Sequence, residues 1–199
     1  MKIAILGSSF DPPHIGHALI ATQVKELFKM DEVWLMPSFI HPFGKKLSSS
    51  TRRLEMTALL EDNGIKASDF EIRQKKTSYT IDTLNLLIWL FPKDQFYWII
   101  GSDQLNTFNQ WKKWQDLVKK YPLIIFPRET DFNKIEEQIK SVFKIKKIPS
   151  NIFMPRNKNL IVTNISSTMV RDRIKERKEI KYLVPVGVEK YITEHGLYK

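Results

Sequence analysis

The chain has 199 residues, 42% of them hydrophobic and none of them cysteine. That length supports one well-buried core and is short for two, so a single domain over 1–199 is expected, and a disulfide framework or a thiolate metal site is excluded. Thirty-two Lys and Arg against 22 Asp and Glu give a formal net charge of +10, which points to an anionic partner: nucleic acid, a membrane surface or a phosphorylated small molecule. The basic residues are scattered rather than gathered on one stripe, as in any lysine-rich proteome, so charge alone does not choose among these. No apolar stretch approaches the roughly 18–20 residues of a membrane helix, and the N-terminal Met1-Lys2-Ile3-Ala4-Ile5 enters a strand without a signal-peptide pattern; a cytoplasmic protein is expected.

Short apolar runs of strand character occur at 2–6, 32–36, 70–73, 96–100, 123–126 and 160–162. Helix-like amphipathic segments lie between them at 15–29, 51–61, 80–90, 103–119 and 132–143. This alternation predicts an α/β fold, a doubly wound and mostly parallel sheet with right-handed crossovers and helices on both faces. Two more helices, 167–176 and 186–195, make a C-terminal helical region, the second entered after Pro185 and stopped by Gly196. There is no internal repeat and no low-complexity tract.

In such sheets ligands bind beyond the carboxyl ends of the strands, so polar clusters at strand exits carry the most weight. Four are present: 7–17 after the first strand, 37–46 after the second, 101–103 after the fourth and 165–168 after the last. The first places His14 and His17 where a strand hands over to a helix. A helix start offers unpaired N–H groups and a positive dipole end, and two imidazoles three residues apart project from one face toward the same anion, so this junction reads as a phosphate site. The plain alternative is a pair of histidines that cap or pack a helix. Zinc is disfavoured, since only His41 and His195 remain as further imidazoles.

Phe10-Asp11-Pro12-Pro13-His14-Ile15-Gly16-His17, taken with Ile165-Ser166-Ser167-Thr168-Met169-Val170-Arg171, resembles the nucleotidyltransferase superfamily and its HxGH and ISSTxxR signatures. Arg73 with Ser78-Tyr79-Thr80-Ile81-Asp82-Thr83-Leu84, and Gly101-Ser102-Asp103 with Trp111, are similar to bacterial nicotinate-mononucleotide adenylyltransferases in particular. So are Tyr182-Leu183-Val184-Pro185 and Tyr191-Ile192, and the resemblance therefore spans the chain. One segment departs from it: where many members carry Pro-Pro-His-Lys after the second strand, this chain reads His41-Pro42-Phe43-Gly44-Lys45-Lys46. Lys45 is favoured over Lys46 as the phosphate lysine, and His41 stands near the missing histidine's place.

The resemblance implies a Rossmann-like nucleotidyltransferase fold that transfers AMP from ATP to nicotinate mononucleotide, giving deamido-NAD and pyrophosphate in NAD biosynthesis. It implies Mg2+ accompanying ATP, no metal-ligand set of the protein's own, and no nucleic acid or membrane partner. His14, His17 and Arg171 are the implied catalytic residues. Gly7, Ser8, Ser9, Phe10, Gly16, Lys45, Gly101, Asp103, Ile165, Ser166, Ser167 and Thr168 are the implied ATP contacts, with Gly16 keeping a side chain out of the nucleotide's path and Arg171 gripping the leaving pyrophosphate. Ser166, Ser167 and Thr168 open a helix, where hydroxyls and free N–H groups hold phosphate; a plain N-cap is the alternative. Asp103 would accept from a ribose hydroxyl or hold magnesium through water, or merely cap a helix. For the mononucleotide, Trp111 offers a flat surface to the pyridine ring, with Trp114 the core-packing residue, and the N–H groups at Tyr79 and Thr80 face the pyridine carboxylate; the latter two equally read as cap and packing residue.

Competing readings are an acceptor such as nicotinamide mononucleotide within the same superfamily, and a basic nucleic-acid-binding module. Against the module, aromatics such as Tyr97-Trp98-Ile99-Ile100 fall at the apolar spacing of core strands.

Overall fold

Strand β1 (Lys2–Ser8) sends its apolar side chains alternately to two sides, Ile3 and Ile5 into one core cluster, Ala4 and Leu6 into the other. That period of two, with both faces apolar, is what a central strand of a parallel sheet requires. A computed structural model of the protein, described for residues 1–157 and 159–199, accordingly places β1 between two parallel neighbours, β2 (Glu32–Pro37) and β4 (Gln95–Gly101). With β3 (Ile65–Ala67), β5 (Leu123–Phe126) and β6 (Ile152–Phe153) the sheet runs β3-β2-β1-β4-β5-β6, parallel at every pairing. The chain winds outward from β1 in one direction, then returns across it and winds the other way from β4. The carboxyl ends of β1 and β4 therefore flank the switch point where such sheets bind ligands.

Helices cover both faces. On the side of Ala4 and Leu6 pack α1 (Ile15–Phe28), α2 (Ser50–Ala58), α7 (Ser167–Lys175) and α8 (Val186–Glu194), through Ile20, Val24, Met56, Val170, Val188 and Ile192. On the side of Ile3 and Ile5 pack α4 (Thr80–Leu90), α5 (Trp114–Lys120) and α6 (Phe132–Phe143), through Leu84, Leu87, Leu117, Ile135 and Ile139. The α/β, doubly wound architecture and the C-terminal helical region are as the sequence predicts.

Three expected elements differ. Residues 70–73 form a short helix, α3 (Phe70–Arg73), and the strand lies earlier, at Ile65–Ala67. Phe70 and Ile72, two apart, imitate a strand, whereas the real edge strand is three residues long and too short to show a period. Residues 160–162 are not a strand; the edge is Ile152–Phe153. Gln23 on α1 takes the place of a ladder partner there, its side chain accepting from the Ile161 N–H at 2.7 Å and donating to the Ile161 carbonyl at 2.9 Å. The expected helix 103–119 is broken into a 3₁₀ segment, Ser102–Gln110, and α5. Trp111 is extended (φ −72°, ψ 141°) and Lys113 left-handed (φ 51°), and Asn106, Thr107 and Asn109 are poor helix formers before the break.

Gly7, near the end of β1, leaves room for the indole of Trp98, which is 3% exposed; a Cβ at Gly7 would overlap its Cζ2 and Cη2. Neither strand nor ring has freedom to yield. Gly7→Ala is expected to destabilise the protein by about 1–3 kcal/mol, read as a lower urea midpoint at unchanged slope. A midpoint equal to that of the parent would contradict this packing.

Candidate active site

The loop between β1 and α1 is shaped by its two histidines. His14 is the extended N-cap residue of α1 (φ −143°, ψ 169°), and its carbonyl accepts from the His17 N–H at 2.9 Å. Its own N–H donates to Nδ1 of His17 at 3.2 Å, and the two rings lie with centroids 3.8 Å apart. Because Nδ1 of His17 accepts, the neutral ring carries its proton on Nε2, which lies 3.4 Å from Ser8 Oγ at the end of β1. Burial pulls the His17 pKa well below its ordinary value, helped by His14 and the Arg128 charge; burial, then Arg128, lower His14 to about 3. Both imidazoles are therefore neutral N–H donors at physiological pH.

Two expectations about this loop change. The Phe10 side chain is fully buried in the core and packs at 4.6 Å against His17, so it supports that ring instead of meeting a nucleotide. The missing side chain of Gly16 makes room for the His14 ring and the Thr163 methyl, which a Cβ would meet at 2.9 and 3.2 Å. Nor are the first N–H groups of α1 all open. Ile15 donates to the Leu183 carbonyl at 2.9 Å and His17 to His14, which leaves Gly16 without a backbone partner among the described residues.

The C-terminal region closes on this loop. Ser167 Oγ donates to the Pro12 carbonyl at 2.8 Å, and Arg171 Nη1 to the Asp11 carbonyl at 2.6 Å. Arg171 Nη2 also donates to Thr168 Oγ1 at 3.2 Å, while Ser166 Oγ caps α7 by accepting from the Met169 N–H at 3.1 Å. The Ser167 hydroxyl proton is thus spent on the loop and is not free for a phosphate. Those of Ser166 and Thr168 remain available, and Arg171 keeps further N–H donors. The 165–168 cluster does not directly follow a strand, since β6 ends at Phe153.

Two residues that the sequence reading missed hold these parts together. Arg53 on α2, 1% exposed, donates from Nε to Ser48, from Nη1 to Ser9 and from Nη2 to Phe39, three carbonyls at 2.9–3.1 Å that belong to the loops after β1 and β2. Its position on the apolar stripe with Met56, Thr57 and Leu60 is the signal that betrays it, since a charged residue on a core face is there for its hydrogen bonds. Arg128, just after β5, donates to the carbonyls of Thr163 and Ile165 at 3.2 and 3.4 Å, while its backbone N–H donates to Ser102 Oγ at 2.9 Å. It lies at the strand exit that the four polar clusters leave out. Asp103 pairs with Arg128 Nε at 3.5 Å, and Gly101 lacks the Cβ that would overlap the Asp103 carboxylate.

Beside this junction lies a cavity of about 710 Å³, lined by Gly7 and Ser8 of β1 and Ser9 just after it, Lys45 after β2, Tyr79 and Thr80, and Asp103 and Trp111. Lys45 lines it and Lys46 does not. Burial, with Lys45 and Arg53 nearby, lowers the His41 pKa to about 4, and His41 lines the same wall. Trp111 leans on Phe108 with centroids 4.9 Å apart and presents itself to the cavity; Trp114 packs in the same cluster without reaching it. Tyr79 is the N-cap residue of α4, and Lys112 lies 4.7 Å over its ring while pairing with Asp82 at 2.8 Å. Glu71, its carboxyl pushed up by burial, accepts from Thr83 Oγ1 at 2.6 Å and so ties α3 to the start of α4. The phosphate-side groups His14, His17, Ser166 and Arg171 do not line this cavity; they close the adjoining end of the loop.

Among the described residues no group of three His, Cys, Asp or Glu side chains is arranged to hold a metal ion, and no helix is long and apolar enough to cross a membrane.

Residues 5–173 match the cytidylyltransferase-like family. A protein of Caldicellulosiruptor saccharolyticus named probable nicotinate-nucleotide adenylyltransferase is 38% identical over 205 residues, covering all of both chains. The nicotinate-nucleotide adenylyltransferase of Bacillus subtilis is 34% identical, over 100% of this chain and 98% of its own. Among solved structures, a Plasmodium falciparum nicotinic acid mononucleotide adenylyltransferase complexed with NaAD superposes with a TM-score of 0.81 at 23% identity, over 99% of this chain and 97% of that one, which bears on the fold. With full-length identity of this order behind the motifs at both ends of its sheet edge, the chain belongs to the nicotinate-nucleotide adenylyltransferase family of cytidylyltransferase-like proteins.

Proposed function

We propose that the protein transfers the adenylyl group of ATP to the 5′-phosphate of nicotinate mononucleotide, forming deamido-NAD and pyrophosphate. The observation that carries this reading is the meeting of Ser167 and Arg171 with the loop that bears His14 and His17, next to a cavity lined by Ser8 and Ser9 of that same loop region and by Tyr79, Thr80 and Trp111. A phosphate oxygen of the mononucleotide attacks the α-phosphorus of ATP, a new P–O bond forms, and the bond to the β-phosphate oxygen breaks with pyrophosphate leaving. The nucleophile is already ionised at neutral pH, so the protein needs no activated serine or cysteine. Its task is to align two nucleotides and to neutralise charge at the α-phosphorus and on the leaving group.

His17 does this from Nε2–H and His14 from the same face, with the free N–H of Gly16 between them. Arg171 holds the pyrophosphate with the donors it does not spend on Asp11 and Thr168. Lys45 faces the phosphates from the loop after β2, and Trp111 stacks on the pyridine ring. The N–H groups at the start of α4 receive the pyridine carboxylate. Asp103, at the β4 exit and paired only loosely with Arg128 at 3.5 Å, would hold a magnesium ion through water, and the ion would supply positive charge to offset that of the phosphates.

Purified protein with ATP and magnesium is expected to release pyrophosphate with nicotinate mononucleotide, and far more slowly with nicotinamide mononucleotide. Release with neither overturns the reading, and tight binding of single-stranded nucleic acid at physiological salt would favour the basic-module alternative. His17→Ala is expected to lower kcat about a hundredfold or more, the loss typical of one preorganised donor, in a variant that still unfolds cooperatively at a lowered Tm. Trp111→Ala should raise KM for the mononucleotide while KM for ATP stays within about twofold; equal weakening of both would make Trp111 structural.

The neutral imidazoles also predict an acid-side stability profile. His14 (about 3), His17 and His41 (about 4) stay unprotonated in the folded chain well below the 6.5 of an exposed histidine. The unfolded chain therefore binds more protons between those limits, and stability is lost as pH falls from about 6.5 toward 3–4. His14→Asn places a residue favoured at N-caps there and removes one such group, so its Tm should fall less steeply than the parent's between pH 6.5 and 4. Parallel calorimetric profiles would contradict a buried, neutral His14.

A further inference from the structure

The residue before the C-terminus reaches the support of the active-site loop. Leu197 is buried in the core, and Tyr198 after it turns into the left-handed region (φ 66°), which a bulky residue keeps only where its contacts hold it. The contact is specific: the Tyr198 hydroxyl donates to Asp11 Oδ1 at 2.6 Å, between residues 187 positions apart. Asp11 is 3% exposed, and its other carboxylate oxygen accepts from the Ser48 N–H at 3.1 Å. A carboxylate removed from water needs a donor at each oxygen, and the last turn of the chain supplies one of the two.

Asp11 matters to the site through its backbone. Its carbonyl receives Arg171, and Pro12 and Pro13, whose φ angles are fixed by their rings, join it stiffly to His14. A shift of Asp11 therefore moves an arginine and an imidazole together, both on the triphosphate side. Nothing comparable links Tyr198 to Trp111 or Tyr79 on the acceptor side.

We propose that Tyr198 is a positioning residue for the ATP half of the site: by holding Asp11 it fixes Arg171 and the Pro12-Pro13-His14 turn in the geometry that receives the triphosphate. The inference rests on the adenylyltransferase reading above. Burial and the Asp11 contact both push the phenol's pKa upward, so it remains a donor throughout the working range of pH.

The test compares the parent with Tyr198→Phe, Asp11→Ala and the double variant in the 199-residue chain. Tyr198→Phe keeps the ring in its packing and removes only the hydroxyl. Steady-state kinetics with each substrate varied are paired with calorimetric titration of ATP and magnesium in the absence of acceptor. Tyr198→Phe should lower kcat/KM for ATP about tenfold and weaken ATP binding comparably, while KM for nicotinate mononucleotide stays within about twofold. The double variant should lose no more than Asp11→Ala alone, because Asp11→Ala already removes the acceptor of the Tyr198 hydroxyl. Unchanged ATP parameters in folded Tyr198→Phe, KM values for both substrates rising together, or additive losses in the double variant would each overturn the proposal. Should the parent turn over no acceptor, the adenylyltransferase reading fails by itself, and the ATP titrations still decide whether Tyr198 positions the loop.

Discussion

The site depends on one constraint: the loop between β1 and α1 is held in shape by the far end of the chain. Ser167 and Arg171 bind the carbonyls of Pro12 and Asp11, and Leu183 takes the first N–H of α1. From the other side, the buried Arg53 ties Ser9 to the loop after β2. A strand-to-helix loop with two adjacent prolines has few backbone hydrogen bonds of its own, so its polar groups must be paired from elsewhere. Pairing them with α7 brings Ser167 and Arg171 against the loop that carries His14 and His17. The parallel sheet makes this possible, because its crossover at β1 and β4 opens a crevice that both regions can overhang.

The same arrangement explains why the histidines are neutral. Burial first, then the neighbouring imidazole with its centroid 3.8 Å away and the Arg128 charge, disfavour a proton on His17, and burial and Arg128 do the same for His14. Fixed dipoles serve the reaction in this setting, since a neutral N–H donor aimed at developing charge requires no reorganisation when that charge appears. In the proposed reaction the permanent cations, Arg171 and Lys45, are left to meet phosphate oxygens. The folded chain gives up acid-side stability to keep its imidazoles in this state.

Much of this was legible in the sequence. The alternation of strand-like and helix-like periods gave the fold class, and the motif pair placed His14, His17 and Arg171 at a shared edge, because strand exits are where parallel sheets put their ligands. Very short elements escaped: β3 and β6 have three and two residues, less than the period needed to recognise a strand. Residues whose function is to bind carbonyls also escaped, because a carbonyl partner leaves no mark in the sequence. Arg53 and Arg128 are of this kind. Phe10 was placed correctly within the loop, but its side chain is buried in the core, since a motif gives the location of a side chain without saying which way it faces.

The most direct measurement is a crystal structure of the protein grown with a non-hydrolysable ATP analogue and magnesium. The account requires the triphosphate to lie between His17 Nε2 and the unspent donors of Arg171, with the loop from Asp11 to His14 still bonded to Ser167. Analogue density elsewhere, or a triphosphate that contacts the first motif while α7 stands apart from it, would contradict the central claim.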